Sequence, residues 1–248
     1  MPTPTTLDLV TDFCLQKLDF SNPKLDPEYY YAHLPLCVVD SVFSMGVKYE
    51  SVRNVVRRME PLVGHTLFRD HGSLPIDPAQ QISVAAFLEK VEHESPEKLA
   101  LEVYRNKQRT STLNGILKAE AVSRFLRVLA DFDVQYFQDV PRLITDTNFE
   151  QKIKRIPGQA SGICLSYFFM LAGNDQLIKP DRMVRDFLKA ITGSTVTLEE
   201  AQVLLAEVSS QLVLKGYEMN PRLLDNLIWN YQRKLPKRLS GTRMNSVL

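Results

Sequence analysis

The residues whose types and spacing could do chemistry lie between Lys152 and Arg185. A short helix running into Ile156-Pro157-Gly158 must stop there, because proline followed by glycine interrupts the helical ladder. A second, apolar helix starts at about Ser161. So tight a turn points the unpaired amides of the second helix outward. With the positive end of the helix dipole they form an anion site suited to a phosphodiester. Lys152, Lys154 and Arg155 stand just before the turn and would strengthen it. The plain alternative is an ordinary helix connection with solvated lysines. Asp181 shifts the balance. It follows Pro180 and opens a further helix, so one helix and one loop bring the chain back to a second helix start. A carboxylate there would face the same groove as the turn. Its plain role is an N-cap, and the two roles agree, since amide donors and dipole at a helix start favour the anion. An anionic carboxylate is the form that glycosidic chemistry at an electron-poor sugar uses.

The elements that must position these residues read as helices throughout. Apolar residues recur at helical intervals from Leu7 to Leu18, until Ser21-Asn22-Pro23 breaks the pattern. Pro35 suits a first helical turn, and the run Leu36 to Met45 ends at Gly46. From Tyr49 to Met59, Val52, Val55, Val56 and Met59 form one stripe to be buried, with Arg53, Arg57 and Arg58 mostly opposite. Residues 64–78 read as a loop, followed by helices over Ile82–Val91 and Pro96–Arg105. Asn114-Gly115 marks a turn before a helix over Lys118–Leu129, where Val122, Phe125, Leu126 and Leu129 face one way. Further helices span Asp181–Ile191, Leu198–Leu214 and Pro221–Leu235, with Trp229 in the core. The tail beyond Pro236 is polar and reads as mobile. No convincing alternating strand occurs, so the fold is all-α.

Composition removes several classes of function. The chain has 248 residues and 44% hydrophobic content, enough for one large domain or two intimate lobes. Lys+Arg 30 against Asp+Glu 29 leaves almost no net charge, so any basic surface must come from local segregation. No apolar run spans a membrane and Met1 to Leu9 lacks a signal-peptide pattern, which reads as a soluble, intracellular chain. Cys14, Cys37 and Cys164 are too few and too far apart for a zinc knuckle or a four-cysteine cluster, and read as buried thiols.

The layout resembles the helix-hairpin-helix DNA glycosylase superfamily, whose signature is a Pro-Gly hairpin followed by a catalytic Asp at a helix start. Ile156-Pro157-Gly158-Gln159-Ala160 takes the place of the family hairpin, and Lys179-Pro180-Asp181-Arg182-Met183-Val184-Arg185 resembles its catalytic segment. Lys118-Ala119-Glu120-Ala121-Val122 is similar to the start of the helix preceding the hairpin. Phe43-Ser44-Met45-Gly46 followed by Val52-Arg53-Asn54 is similar to the helix pair opening the family's six-helix lobe. Pro221 to Trp229 looks like the closing helix of cluster-free members. The resemblance covers most of residues 28–235. It departs at Ala160, where the family has a second hairpin glycine, and at Gly162, where bifunctional members carry a nucleophilic lysine. The four-cysteine iron–sulfur cluster is also missing.

The resemblance implies a two-lobed helical fold with the active-site cleft between the lobes. Residues 1–35 plus 179–248 would form a terminal lobe, and 36–178 a six-helix lobe holding the hairpin at about 148–172. It implies a monofunctional glycosylase that flips a damaged or modified base out of double-stranded DNA and hydrolyses its N-glycosidic bond. The role would be base excision repair or removal of modified bases, including those of phage DNA. Asp181 would stabilise the positively charged sugar. Gly158, Gln159, Ala160, Ser161, Gly162, Lys154 and Arg155 would hold the DNA backbone. Tyr29, Tyr30, Tyr31, His33 and Tyr167 are candidates for the base pocket, and Met45 for a wedge into the duplex; core packing is the alternative for each. No cofactor is implied beyond a structural monovalent cation at the hairpin, and a monomer is expected. A bacterial chain of this kind would work in the cytoplasm with the nucleoid. The alternatives are a non-catalytic hairpin DNA-binding protein, a bifunctional lyase using Lys179, and an all-α interaction domain.

Overall fold

The computed structural model describes residues 5–64, 66–70 and 77–235. Residues 65 and 71–76 of the loop expected over 64–78, and the whole tail beyond Pro236, lie outside the described residues. In chain order the helices are α1 (Thr6–Lys17), α2 (Leu34–Phe43), α3 (Tyr49–Arg57), α4 (Glu60–Val63), α5 (Val84–Val91) and α6 (Pro96–Lys98), which runs on as a π-helical turn, Leu99–Val103. They continue with α7 (Lys118–Asp131), α8 (Thr147–Lys154), α9 (Ile163–Leu171), α10 (Arg182–Thr192), α11 (Leu198–Leu214) and α12 (Pro221–Lys234). Among the described residues extended pairing is limited to two single bridges, Tyr31 with Phe68 and Arg109 with Leu117. The fold is all-α.

The chain forms two compact units. The smaller comprises Met1–Pro23, Pro180–Met219 and Leu223–Leu248. Its helices start on side-chain caps: Thr5 and Asp8 form a reciprocal capping box on α1, and Thr197 and Glu200 form another on α11. Gly193, at φ +75°, ends α10 in a left-handed conformation that suits glycine. Phe13, Phe187 and Tyr231 meet edge to face, with centroids 5.5–6.2 Å apart, tying α1, α10 and α12 together. Trp229 is half-buried rather than core, with the Arg233 guanidinium 4.3 Å from its ring.

The larger unit comprises Lys24–Lys179 and Asn220–Arg222. The boundary expected after residue 35 therefore falls after residue 23. Residues 24–35 join the larger unit through long-range bonds: Ala32 N donates to Leu67 O, Arg69 N to Tyr30 O, and Arg222 Nη2 to Tyr29 O. At the centre lies α2, all ten of whose residues are buried, packed against α3, α7 and α9. The stripes read from the sequence line this core: Val52, Val55, Val56 and Met59 from one side, Val122, Phe125, Leu126 and Leu129 from another. All three cysteines are buried thiols, and burial pushes Cys14 and Cys164 up to about 12, which leaves them inert as nucleophiles.

Candidate functional site

In the larger unit, α8 and α9 are consecutive helices joined by the turn at residues 155–162. Asp146 starts α8 by accepting the amides of Asn148 and Phe149. Gly158 (φ +86°) and Gly162 (φ +77°) give the turn its two left-handed residues. Its own bonds run from Gln159 N to Ile156 O and from Gly162 N to Gln159 O, at 2.9 and 3.1 Å. Among the described residues the amides of Gly158, Ala160 and Ser161 have no protein acceptor, and these three residues are exposed. They are the donors an incoming anion would meet. Gln159 differs from expectation: its amide serves the turn, and its side chain is buried with Oε1 unpaired. Among the described residues no group of three or more His, Cys, Asp or Glu is placed to hold a metal.

The hairpin cations are partly committed. Lys154 pairs with Glu150 at 2.6 Å, and its stem lies over Gly162, where an added Cβ would sit 3.0 Å from Lys154 Cε. Lys152 lies over the Phe132 ring at 5.3 Å, and Arg155 is exposed.

Gly158 packs directly on Thr110, so a methyl there would overlap the Thr110 side chain. Thr110 belongs to a tight hairpin closed by Thr110 N to Ile116 O and Lys118 N to Gln108 O, both 2.9 Å. Arg109 Nη1 on Gly115 O and Ser111 Oγ on Leu113 O brace its tip. At that tip Leu113 is 80% exposed, an apolar side chain on a rigid turn. Arg105, Lys107 and Arg109 are exposed along the same loop, and no acidic residue falls between Val103 and Ala119. This is the local segregation of charge that a near-neutral chain needs in order to attract an anion. Only the Asn114-Gly115 turn is legible in the sequence here, since one leucine in a polar stretch carries no periodicity. Gly158→Ala, strained by its φ and blocked by Thr110, should lower stability by about 1–3 kcal/mol. A melting curve indistinguishable from wild type would show that the hairpin is not held on this loop.

A second group of residues gathers around α2. Asp40 is fully buried; its Oδ2 accepts the hydroxyls of Tyr31 at 2.8 Å and Tyr167 at 3.4 Å, and its Oδ1 has no partner. Burial pushes the carboxyl up to about 6, opposed by the nearby Lys179 charge and the tyrosine hydroxyls. Burial and the Asp40 charge push Tyr31 and Tyr167 well above the usual phenol range. Tyr29 stacks on Tyr49 with centroids 5.6 Å apart. Lys179 donates to Ser44 Oγ at 3.0 Å and holds its ammonium 3.8 Å from the Tyr167 ring centroid. Lys118, 1% exposed, donates to the carbonyls of Phe43 and Met45 and so caps the end of α2; burial lowers it to about 8. Lys118 thus holds the main chain at Met45, whose side chain is half-buried.

Of the aromatic candidates, Tyr31 and Tyr167 meet at Asp40, and Tyr29 and Tyr31 feel its charge. Tyr30 instead meets the guanidiniums of Arg69 and Arg222, at 5.4 and 5.3 Å. His33 is buried and its Nδ1 accepts the Ile82 amide. In the smaller unit Asp181 is the N-cap of α10, with Oδ1 accepting Met183 N at 2.7 Å and Val184 N at 3.3 Å. Its Oδ2 accepts no hydrogen bond among the described residues, and the side chain is half-buried. One oxygen caps and the other is available.

Residues 8–233 match the model of the family described as Domain of unknown function (DUF8548), and the chain belongs to that family. No curated protein and no solved structure matches it. No described helix is long and apolar enough to cross a membrane.

Proposed function

We propose that the protein is a monofunctional DNA glycosylase of the helix-hairpin-helix kind. The observation that carries this reading is the α8–α9 turn. Its unpaired Gly158, Ala160 and Ser161 amides belong to the same packed body as a basic loop tipped by an exposed leucine. Amides that grip phosphate carry no sequence information, which suits a protein that searches for a lesion. An apolar side chain on a rigid tip can enter the stack where a nucleotide has left it, so Leu113 takes the wedge role in preference to Met45. The Asp181 carboxylate stabilises positive charge on the sugar as the base departs, and water completes hydrolysis. Gly162 offers no amine, so that position forms no imine and the strand stays intact.

The test is incubation with duplexes carrying alkylated, deaminated, oxidised or bulky modified bases, read before and after alkali. Cleavage should appear only after alkali, and borohydride should trap no protein–DNA adduct. Salt-dependent DNA binding without base release from any duplex would make the protein a non-catalytic binding module. An adduct lost on changing Lys179 would make it a lyase.

A further inference from the structure

We propose that Arg69 and Arg222, both in the larger unit, form an anion site for a phosphate group. The site is built from residues outside the α8–α9 turn and does not depend on the glycosylase reading. Both guanidiniums lie against the Tyr30 ring, 5.4 and 5.3 Å from its centroid, and Arg69 also lies 5.5 Å from the Phe137 centroid. Their bonding differs. Arg222 is 3% exposed and engaged at both terminal nitrogens: Nη1 pairs with Asp175 Oδ1 at 3.1 Å and Nη2 donates to Tyr29 O at 2.9 Å. Arg69 is half-buried, and its Nε and Nη1 are buried with no acceptor. A guanidinium keeps its proton in a protein, so Arg69 cannot escape burial by turning neutral as a lysine can. Charges withdrawn from water without a partner are among the costliest arrangements in a fold. Burial, with the Arg222 charge adding to it, pulls Arg69 below the usual arginine value. The Asp175 charge reaches Arg69 as well, but that carboxylate is paired with Arg222.

Segments distant in sequence are fastened together to make this arrangement. Arg69 N donates to Tyr30 O at 2.8 Å, Ala32 N donates to Leu67 O at 2.9 Å, and Tyr31 bridges to Phe68. Arg222 N donates to Asp175 O at 3.2 Å. The main chain beneath both cations is therefore fixed beside Tyr30. Ring faces hold a cation without satisfying its N–H groups, so Tyr30 and Phe137 leave the donors of Arg69 unanswered. What completes the site is an oxyanion, because the planar guanidinium fork matches the oxygens of carboxylate and phosphate. Phosphate is the better fit: it carries up to two charges, so one group offsets two guanidiniums where a carboxylate offsets one.

The experiment compares wild type, Arg69→Met and Arg69→Lys by melting curves in sodium phosphate and in sodium chloride at matched ionic strength, beside phosphorus NMR titrations with inorganic phosphate. Wild type should gain stability saturably with phosphate, as a ligand of the folded state requires, and acetate should bind it more weakly. Arg69→Met removes a charge whose Nε and Nη1 bond to nothing, so in chloride it should fold and be at least as stable as wild type. It should bind phosphate roughly tenfold or more weakly. Arg69→Lys keeps the charge without the fork and should fall between the two. A nucleoside monophosphate and a duplex lacking terminal phosphates are then added to the phosphate-loaded wild type. Displacement by the duplex assigns the site to a DNA backbone, and displacement by the monophosphate alone assigns it to a small phosphate ester; both carry the proposed group. Equal stabilisation of wild type and Arg69→Met would place the phosphate elsewhere, the α8–α9 turn included, and overturn the proposal. So would a wild type with no saturable response, or an Arg69→Met variant destabilised equally in both salts, since Arg69 would then be a packing residue.

Discussion

Single-turnover base release by Asp181→Asn is expected to fall by roughly 100-fold or more, about 2.7 kcal/mol or beyond in transition-state stabilisation. Asn keeps an oxygen where Asp181 Oδ1 accepts the Met183 and Val184 amides, so the cap on α10 survives. Stability should change by no more than about 1 kcal/mol. The negative charge is lost, and in the proposed mechanism that charge stabilises the sugar as the base leaves. DNA affinity should stay equal or rise, because a carboxylate beside bound phosphates would repel them before the reaction. The three measurements belong together on one preparation. Undiminished release from a folded Asn variant would falsify the role of Asp181 in the proposed mechanism.

Asp40→Asn should have the opposite signature, a large effect on stability that depends on pH. In the folded protein burial raises the Asp40 carboxyl from 3.8 to about 6. A raised folded value means that the fold favours the protonated form. The penalty for carrying the charge is absent below about pH 4, grows between pH 4 and 6, and is complete above pH 6. The shift corresponds to about 3 kcal/mol. Charged or titratable neighbours on every side bear on it: Tyr31, Tyr167, Lys179, Glu28, Tyr29, Tyr49, Cys37 and Cys164. Taking the difference between variant and wild type cancels their own titrations. The unfolding free energy of the Asn variant minus that of wild type should therefore rise by about 3 kcal/mol from pH 4 to pH 7. The absolute offset will be less favourable, because an Asn amide at the unpaired Oδ1 position has no acceptor. A difference that does not vary with pH would mean that Asp40 is not a buried ionising group.

Local signals carried most of the fold. Helix α11 begins at its Thr197 capping box and covers the expected Leu198–Leu214, and α10 begins one residue after its expected Asp181 start because Asp181 is the cap. The Pro157-Gly158 turn and the Asn114-Gly115 turn lie where breaker residues put them. What escaped depends on contacts distant in sequence. Nothing near Tyr31 announces that it pairs with Phe68 and donates to Asp40. The first unit boundary accordingly lies after Pro23, and Asp40 is not among the candidates named from the sequence. A signal was present: Leu36, Cys37 and Phe43, at helical distances from Asp40, leave that helix without a polar face. An acid in such a helix must be buried and must find partners. Trp229 shows the converse: a large aromatic expected in the core is only half-buried, with an arginine over its ring.

The enclosure of α2 has a consequence for how the protein breathes. A helix with one wet face can exchange its amide hydrogens through fraying and small local openings. Helix α2 has no wet face, since all ten of its residues are buried. Its central amides can reach deuterated solvent only when the larger unit opens as a whole. They are the slow clock of that unit, and the floor beneath Lys179 and Tyr167 keeps its shape until the unit itself comes apart.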